Sequence, residues 1–325
     1  MLKHRKLLIL AILLFAALAV GFILYRRTAQ LPEAATLLPE GDLLIYANLK
    51  PVHLFDLGNS GSVQMEGEYK DFVAQTGIQF ERDLDEVAMS RRDTPDGRDV
   101  ESSEIFVGRF DQERLKNYFL KLASGSEQYR NVTVYSISHE GHIVRVALLS
   151  GKIAATNMVS PEPMHGIIDR TYKSSAGPAL LKDHYSDVPM GSLGWLIDRI
   201  PNKPDNIQLP GGFSLTLPGD TVAVASLRYT GSLLFRADVF AQSEAQAKQV
   251  VDSANNHLAL VRSIGQIMGN KGPDKDVRAA FESIQVAQKE NVAIFTATIP
   301  QTILKKIWSE AESETTNPAP TVGRH

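Results

Sequence analysis

The chain has 325 residues, 43% of them hydrophobic, a formal charge of −3 and no cysteine. The length suits one large or two small domains, and the missing thiol excludes disulfides, a thiolate nucleophile, Cys-ligated zinc or iron–sulfur sites and a lipid-modified cysteine. Residues 1–27 hold five basic and no acidic groups, which leaves −8 for the rest. So acidic a body argues against nucleic acid as a partner, because that binding rests on phosphate neutralisation by Lys and Arg.

The first element is Leu7 to Tyr25 (LLILAILLFAALAVGFILY), 19 residues without a charge. As a helix it spans about 28 Å, close to the hydrocarbon thickness of a bilayer. Leu7, Leu8, Ile12, Phe15, Val20, Phe22 and Leu24 are its anchoring residues. Ala17-Leu18-Ala19 has the form of a signal-peptide cleavage site, but the apolar run continues to Tyr25 and two arginines. A signal-peptide core is about 7–15 residues, so the reading is an uncleaved anchor. Lys3, Arg5, Lys6 and the terminal amine outweigh Arg26 and Arg27, which places the N-terminus in the cytoplasm and the bulk outside. The lipid bilayer is thus the first expected partner, through residues 7–25.

Residues 28–41, with two prolines, read as a short linker. A first α+β half is expected over 42–200. Leu43 to Leu49 is a strand, and Tyr69, Phe72 and Val73 mark a helix that Gly77 stops. Arg91 to Ser103 reads as a turn cluster around Pro95-Asp96-Gly97. Ile105 to Phe110 is a strand, and Asp111 caps a helix with Leu115, Tyr118, Phe119 and Leu122 on one face. Asn131 to Ser138 and Ile143 to Leu149 form a hairpin about Glu140-Gly141, followed by a strand at 152–157 and a helix over 161–172. Residues 174–190 read as irregular, and Leu193 to Ile200 fits either strand or helix.

Residues 201–219, rich in Pro and Gly, are the expected boundary. A second α+β half spans 220–312. It holds a hairpin (221–229 with 232–240) and a long helix opened by Ser243 with Gln246 in a capping box. A third hairpin (284–287 with 292–297) and a last helix from Pro300 complete it. Residues 313–325 read as a disordered tail. The expected fold class is therefore α+β: an N-terminal transmembrane helix, then antiparallel sheets with packed helices. The repeated hairpin–helix–hairpin order suggests two ferredoxin-like halves.

Local chemistry is sparse. His139 and His142 are the sole metal-ligand candidates, with Glu140 between them. A zincin pair needs His at i and i+4 on a helix, whereas these sit at i and i+3 on a hairpin tip, as an exposed polar turn would. The sequence has no G-x-S-x-G, S-x-x-K, G-x-G-x-x-G or phosphate-loop motif. The acidic run Glu81, Asp83, Asp85, Glu86 lacks calcium-loop spacing, and Asn131-Val132-Thr133 is a glycosylation sequon in form only. His257 lies beside a helix's apolar stripe and reads as a packing or surface residue. No catalytic residue is assigned and no cofactor is implied.

Three stretches carry a resemblance: Leu37-Leu38-Pro39-Glu40-Gly41-Asp42 running into Leu43, Gly77 to Val87 (GIQFERDLDEV), and Gly108-Arg109-Phe110-Asp111 before a helix. Together they resemble an uncharacterised family of N-terminally anchored exported bacterial proteins, chiefly over the first half. The resemblance implies a bacterial envelope protein without catalysis; with the apolar run and its basic flanks, the expectation is a single-pass inner-membrane protein whose C-terminal domain is extracytoplasmic. The resemblance brings no site residues. The expected function is a binding or assembly protein without catalysis that meets an envelope protein partner, an exposed strand edge being the natural surface. A membrane-anchored hydrolase or metal-dependent enzyme is one alternative, and a small-molecule or lipid-binding carrier is another.

Overall fold

The computed structural model describes residues 31–51, 67–94, 100–139, 141–158, 160–173, 177–202, 204–209, 213–268 and 275–303. The strands among them are β1 (Leu43–Asn48), β2 (Leu84–Asp93), β3 (Val100–Gly108), β4 (Ala123–Tyr129), β5 (Val132–His139), β6 (His142–Leu149), β7 (Lys152–Thr156), β8 (Gly194–Ile200), β9 (Asp205–Leu209), β10 (Phe213–Leu217), β11 (Thr221–Tyr229), β12 (Leu233–Phe240), β13 (Gln285–Lys289) and β14 (Val292–Ile299). Twelve of them make one antiparallel sheet in the order β13-β14-β12-β11-β8-β1-β2-β3-β7-β6-β5-β4, and β9 and β10 pair as a separate ribbon. The helices are α1 (Glu33–Thr36), α2 (Gly67–Thr76), α3 (Phe80–Asp83), α4 (Gln112–Leu122), α5 (Glu162–Tyr172), α6 (Ala179–His184), α7 (Glu244–Met268) and α8 (Lys275–Glu282).

Successive strand residues point to opposite faces, and here both faces are packed. Ile105, Val134, Ala147 and Ala154 join one core with α1, α5 and α6. Their neighbours Phe106, Tyr135, Val146 and Ile153 join another with Leu115 and Phe119 of α4. In β11, Val224 belongs to the first core, while Ala223 belongs to a third with Val250, Val251 and Ala254 of α7. Burial on both sides explains why β6 (HIVRVALL) is nearly continuously apolar rather than alternating.

The helix caps follow local chemistry. The Asp111 carboxylate accepts from the Glu113 and Arg114 amides, both at 3.1 Å. The Gln246 amide donates to Ser243 Oγ at 3.3 Å, while the Gln246 side chain accepts from the Gln242 amide at 3.0 Å, one residue earlier than a standard capping box.

The two expected ferredoxin-like halves do not form. β8, from the end of the first expected half, lies between β1 and β11: Ile197 pairs with Leu44 on one side and Val224 on the other. The sheet therefore runs unbroken through the supposed division. Trp195 and Ile197 on one face of β8 and Ile200 on the other are all buried, which requires a central position and neighbours on both edges. The Pro/Gly stretch 201–219 contains the ribbon β9–β10, whose Leu215 and Leu217 are buried against α7 residues.

The segment expected as a linker also belongs to the body. Ala34, Ala35 and Leu38 have no exposed surface. Helix α1 lies over β1, β2 and β3, where Ala88, Ser90 and Ser103 are small and fully buried. Small side chains on both surfaces let helix and sheet approach closely. The Glu40 carboxylate accepts the Ala179 amide at 3.0 Å, capping α6 from across the chain. Residues 91–93 and 100–103 extend β2 and β3, and the expected turn at Pro95-Asp96-Gly97 lies outside the described residues. The expected transmembrane helix, residues 7–25, and the tail, 313–325, lie outside the described residues. No described helix is long and apolar enough to cross a membrane.

Candidate functional site

Strand β4 (ASGSEQY) closes one end of the sheet, and no strand pairs with its outer edge among the described residues. It follows α4 directly and pairs with β5, with a register shift between Ala123 and Gly125. Arg130 (φ 45°) and Asn131 (φ 63°) supply the two positive-φ positions that a tight hairpin turn needs. Asn131 is thus a turn residue, not part of the strand.

Natural edge strands are protected by Lys, Pro, bulges or short length. Charges pointing inward serve the same end; β4 has the bulge at its start and the single charge of Glu127, and no Lys or Pro. Ser124 to Gln128 are all exposed, and Glu127 is their only charge.

Glu127 and Tyr129 pair with Val134 and Val132, and so point to the α5 face of the sheet. There the His165 ring lies flat on the Tyr129 ring, with centroids 4.0 Å apart and planes 7° apart. His165 Nε2 is 2.9 Å from Glu127 Oε1; a carboxylate only accepts, so this nitrogen carries the proton. The Tyr129 hydroxyl donates to Asp169 at 3.1 Å, and Arg130 Nε lies 2.6 Å from the same carboxylate. The Tyr172 hydroxyl donates to the Arg130 carbonyl at 2.9 Å. His165, Asp169 and Tyr172 stand at i, i+4 and i+7, one stripe of α5. This stripe clamps one side of β4 and leaves its outer backbone edge open.

His139 and His142 face each other as the last pair of the β5–β6 ladder, and both are exposed. Among the described residues no three His, Asp or Glu side chains are grouped to hold a metal ion. The acidic run is structural in part. Asp83 is buried and takes hydrogen bonds from Arg82 at 2.7 and 2.8 Å and from the Gln79 amide at 3.0 Å. The Arg82 guanidinium, aided by that amide, holds the Asp83 carboxyl below its ordinary range. Two of the stretches that carry the family resemblance meet here: the Arg109 amide donates to the Asp83 carbonyl at 2.9 Å, and the Arg109 guanidinium donates to the Arg82 carbonyl at 2.6 Å.

Two further ionisable groups lie elsewhere on the sheet, one half-buried and one buried. Asp198 of β8 sits between Leu43 of β1 and Ala223 of β11. Burial pushes its carboxyl up to about 6; Asp205 and Asp42 add to the shift and Arg91 opposes it. On the other face, Tyr46 stacks on Trp195 with centroids 5.4 Å apart. Burial raises the Tyr46 hydroxyl, and the charge of Glu86 adds to this. Glu86 is itself paired with Lys50 at 3.0 Å.

No protein-family model matches this sequence, and no curated protein does either. Among solved structures the chain is similar to TP0453. Crystal form IV of that protein gives a TM-score of 0.46 at 13% identity over 85% of this chain and 96% of that one. Crystal form III gives 0.44 at 13% identity, over 86% and 99%. A likeness at this level assigns no function.

Proposed function

We propose that this chain is a single-pass, membrane-anchored extracytoplasmic protein that binds or assembles without catalysis, taking an extended segment of an envelope protein onto the outer edge of β4. The observation that carries this reading is that edge: seven residues of backbone, exposed along Ser124 to Gln128, without Lys or Pro, and held from one side by the α5 stripe. Strand addition to such an edge draws affinity from main-chain hydrogen bonds. The apolar run 7–25 with its basic flanks and the resemblance to anchored exported proteins support an inner-membrane position with the body outside. Tyr25 ends the apolar run and Leu31 packs against the core. Six residues of extended chain reach at most about 20 Å, so the reading sets β4 on a body held close to the bilayer.

A photoreactive residue at Ser126 of the full-length chain, in its native membrane, tests the proposal. Ala287, exposed on β13 at the other end of the sheet, is the control position. A discrete protein adduct from position 126 alone, with Met1 or Leu2 retained at the N-terminus, is expected. No adduct above the control removes the binding reading, and a mature N-terminus near Val20 removes the anchor.

A further inference from the structure

The chain enters the body at one rim of the sheet. Glu33, two residues after Leu31, pairs with Lys152 at the start of β7 at 2.9 Å and lies within electrostatic reach of Lys50, just past the end of β1. In the antiparallel sheet these strand ends share a rim with the start of β8 and the turn between β4 and β5. We infer that this rim faces the bilayer, with Met190 and Tyr172 set into the lipid headgroup region on either side of the point where the chain enters. The inference rests on the anchor in the reading above, not on strand addition to β4.

Tyr172 and Met190 are 58% and 57% exposed, more than any other large apolar side chain among the described residues. Met190 stands at the tip of a four-residue turn, marked by Gly191 (φ 76°) and by the Ser192 amide donating to the Pro189 carbonyl at 3.3 Å. Such tips commonly carry polar or small residues. The next amide, Leu193, donates to the Leu227 carbonyl at 2.7 Å, and its own carbonyl accepts the Asn48 amide at 2.6 Å, so the turn is fixed at the ends of β1, β8 and β11. Tyr172 is fixed at the β4–β5 turn through the Arg130 carbonyl. An aromatic ring with a polar tip suits the membrane interface, and exposed Lys173 follows it. In the sheet order six strand spacings separate β8 from β5, about 30 Å. Lys50 and Lys152, which mark the entry of the chain, lie between the two.

Charge favours the same orientation. On the entry rim the carboxylates of Glu86, Glu33 and Asp169 are each paired, with Lys50, Lys152 and Arg130. At the opposite rim Asp42, Asp93, Asp198 and Asp205 crowd together against Arg91 and Arg199. Anionic lipid repels the acidic rim, whereas apolar side chains at the entry rim gain by partial burial among the headgroups. The six residues between Tyr25 and Leu31 reach at most about 20 Å, which keeps the entry rim within range of the surface. In this orientation β4 runs toward the bilayer from Ala123 to Tyr129, and its outer edge stays open to water.

The chain has no cysteine, so a single introduced cysteine carries one fluorophore. Met190→Cys, Lys173→Cys and, as control, His142→Cys are labelled in the full-length protein. Each is reconstituted in vesicles of phosphatidylethanolamine and phosphatidylglycerol that contain a headgroup spin label. His142 is exposed and opens β6 at the opposite rim, about 25 Å away along the strand. Interfacial groups sit within about 5–10 Å of the headgroup boundary, so quenching at 190 and 173 is expected to exceed that at 142 by at least about threefold. Adding Met190→Glu and Tyr172→Glu to the Lys173→Cys variant is expected to abolish most of that excess with an unchanged far-UV spectrum. Equal quenching at the three positions, or more at 142, overturns the inference. An excess that survives the double substitution overturns the role of Met190 and Tyr172. Flotation with the vesicles after an alkaline wash separates the two readings. Protein that floats but is quenched equally keeps the anchor and loses the orientation, whereas protein that does not float loses both.

Discussion

Replacing Asp198 with Asn tests the energetics of the sheet centre. In the unfolded chain this carboxyl ionises near 3.8, while burial between β1 and β11 pushes it up to about 6 in the folded protein. Between those values the folded state holds the extra proton, so stability falls as pH rises through the window. Above about 6 the protein keeps a partly desolvated carboxylate, and below 3.8 the penalty is gone. Each tenfold change in proton affinity is worth about 1.4 kcal/mol, which sets a ceiling of about 3 kcal/mol. Asp198 is only half-buried, and solvent screening reduces this to about 1–2 kcal/mol. Asp198→Asn removes the charge and keeps the shape. The variant is expected to be more stable than the parent by about that amount at pH 8 and equal to it near pH 4. Urea unfolding of the full-length chain in detergent, followed by the fluorescence of buried Trp195 in a Trp308→Phe background, reads the difference. A variant equally destabilised at both pH values, or identical to the parent at pH 8, would refute the argument that burial governs this carboxyl.

Four further outcomes are expected. Ala35→Leu overpacks α1 against Ala88, Ser90 and Ser103 and should cost about 1–3 kcal/mol in thermal unfolding; no loss would return residues 28–41 to the status of a linker. Asp111→Ala removes both bonds to the first turn of α4 and should cost about 1 kcal/mol by urea denaturation, whereas a change of only a few tenths would mean the cap is replaced by water. His165→Ala should raise amide hydrogen exchange in β4 while leaving β8 protected, since it frees Glu127 and the Tyr129 ring; uniform protection would show that the α5 stripe does not hold the strand. Titration of zinc into the parent and a His139→Ala/His142→Ala variant should give the same binding, and loss in the variant alone would reinstate a metal site at the hairpin tip.

Much of the local structure is legible in the sequence. The β5–β6, β11–β12 and β13–β14 hairpins follow from apolar strands around short polar turns, and α4 and α7 from capped helical spacing. These features are encoded within a few residues, where backbone geometry and side-chain period decide. Strand β4 is not legible this way: ASGSEQY has no apolar alternation, and it is ordered by pairing with β5 and by the His165–Asp169–Tyr172 stripe. The stripe itself stands at helical spacing within the predicted 161–172 helix, but nothing local shows what it faces.

By itself the sequence determined the apolar run at 7–25, the absence of thiol chemistry, and most hairpins and helices. Only the tertiary structure decided that β8 joins β1 to β11 in one twelve-stranded sheet, that α1 is core, and that β4 is left as an edge. The physical reason is that side-chain period dictates which face of a strand is buried but not which strand lies beside it. That choice is settled by burying both faces of residues far apart in the chain, as when Ile197 locks between Leu44 and Val224.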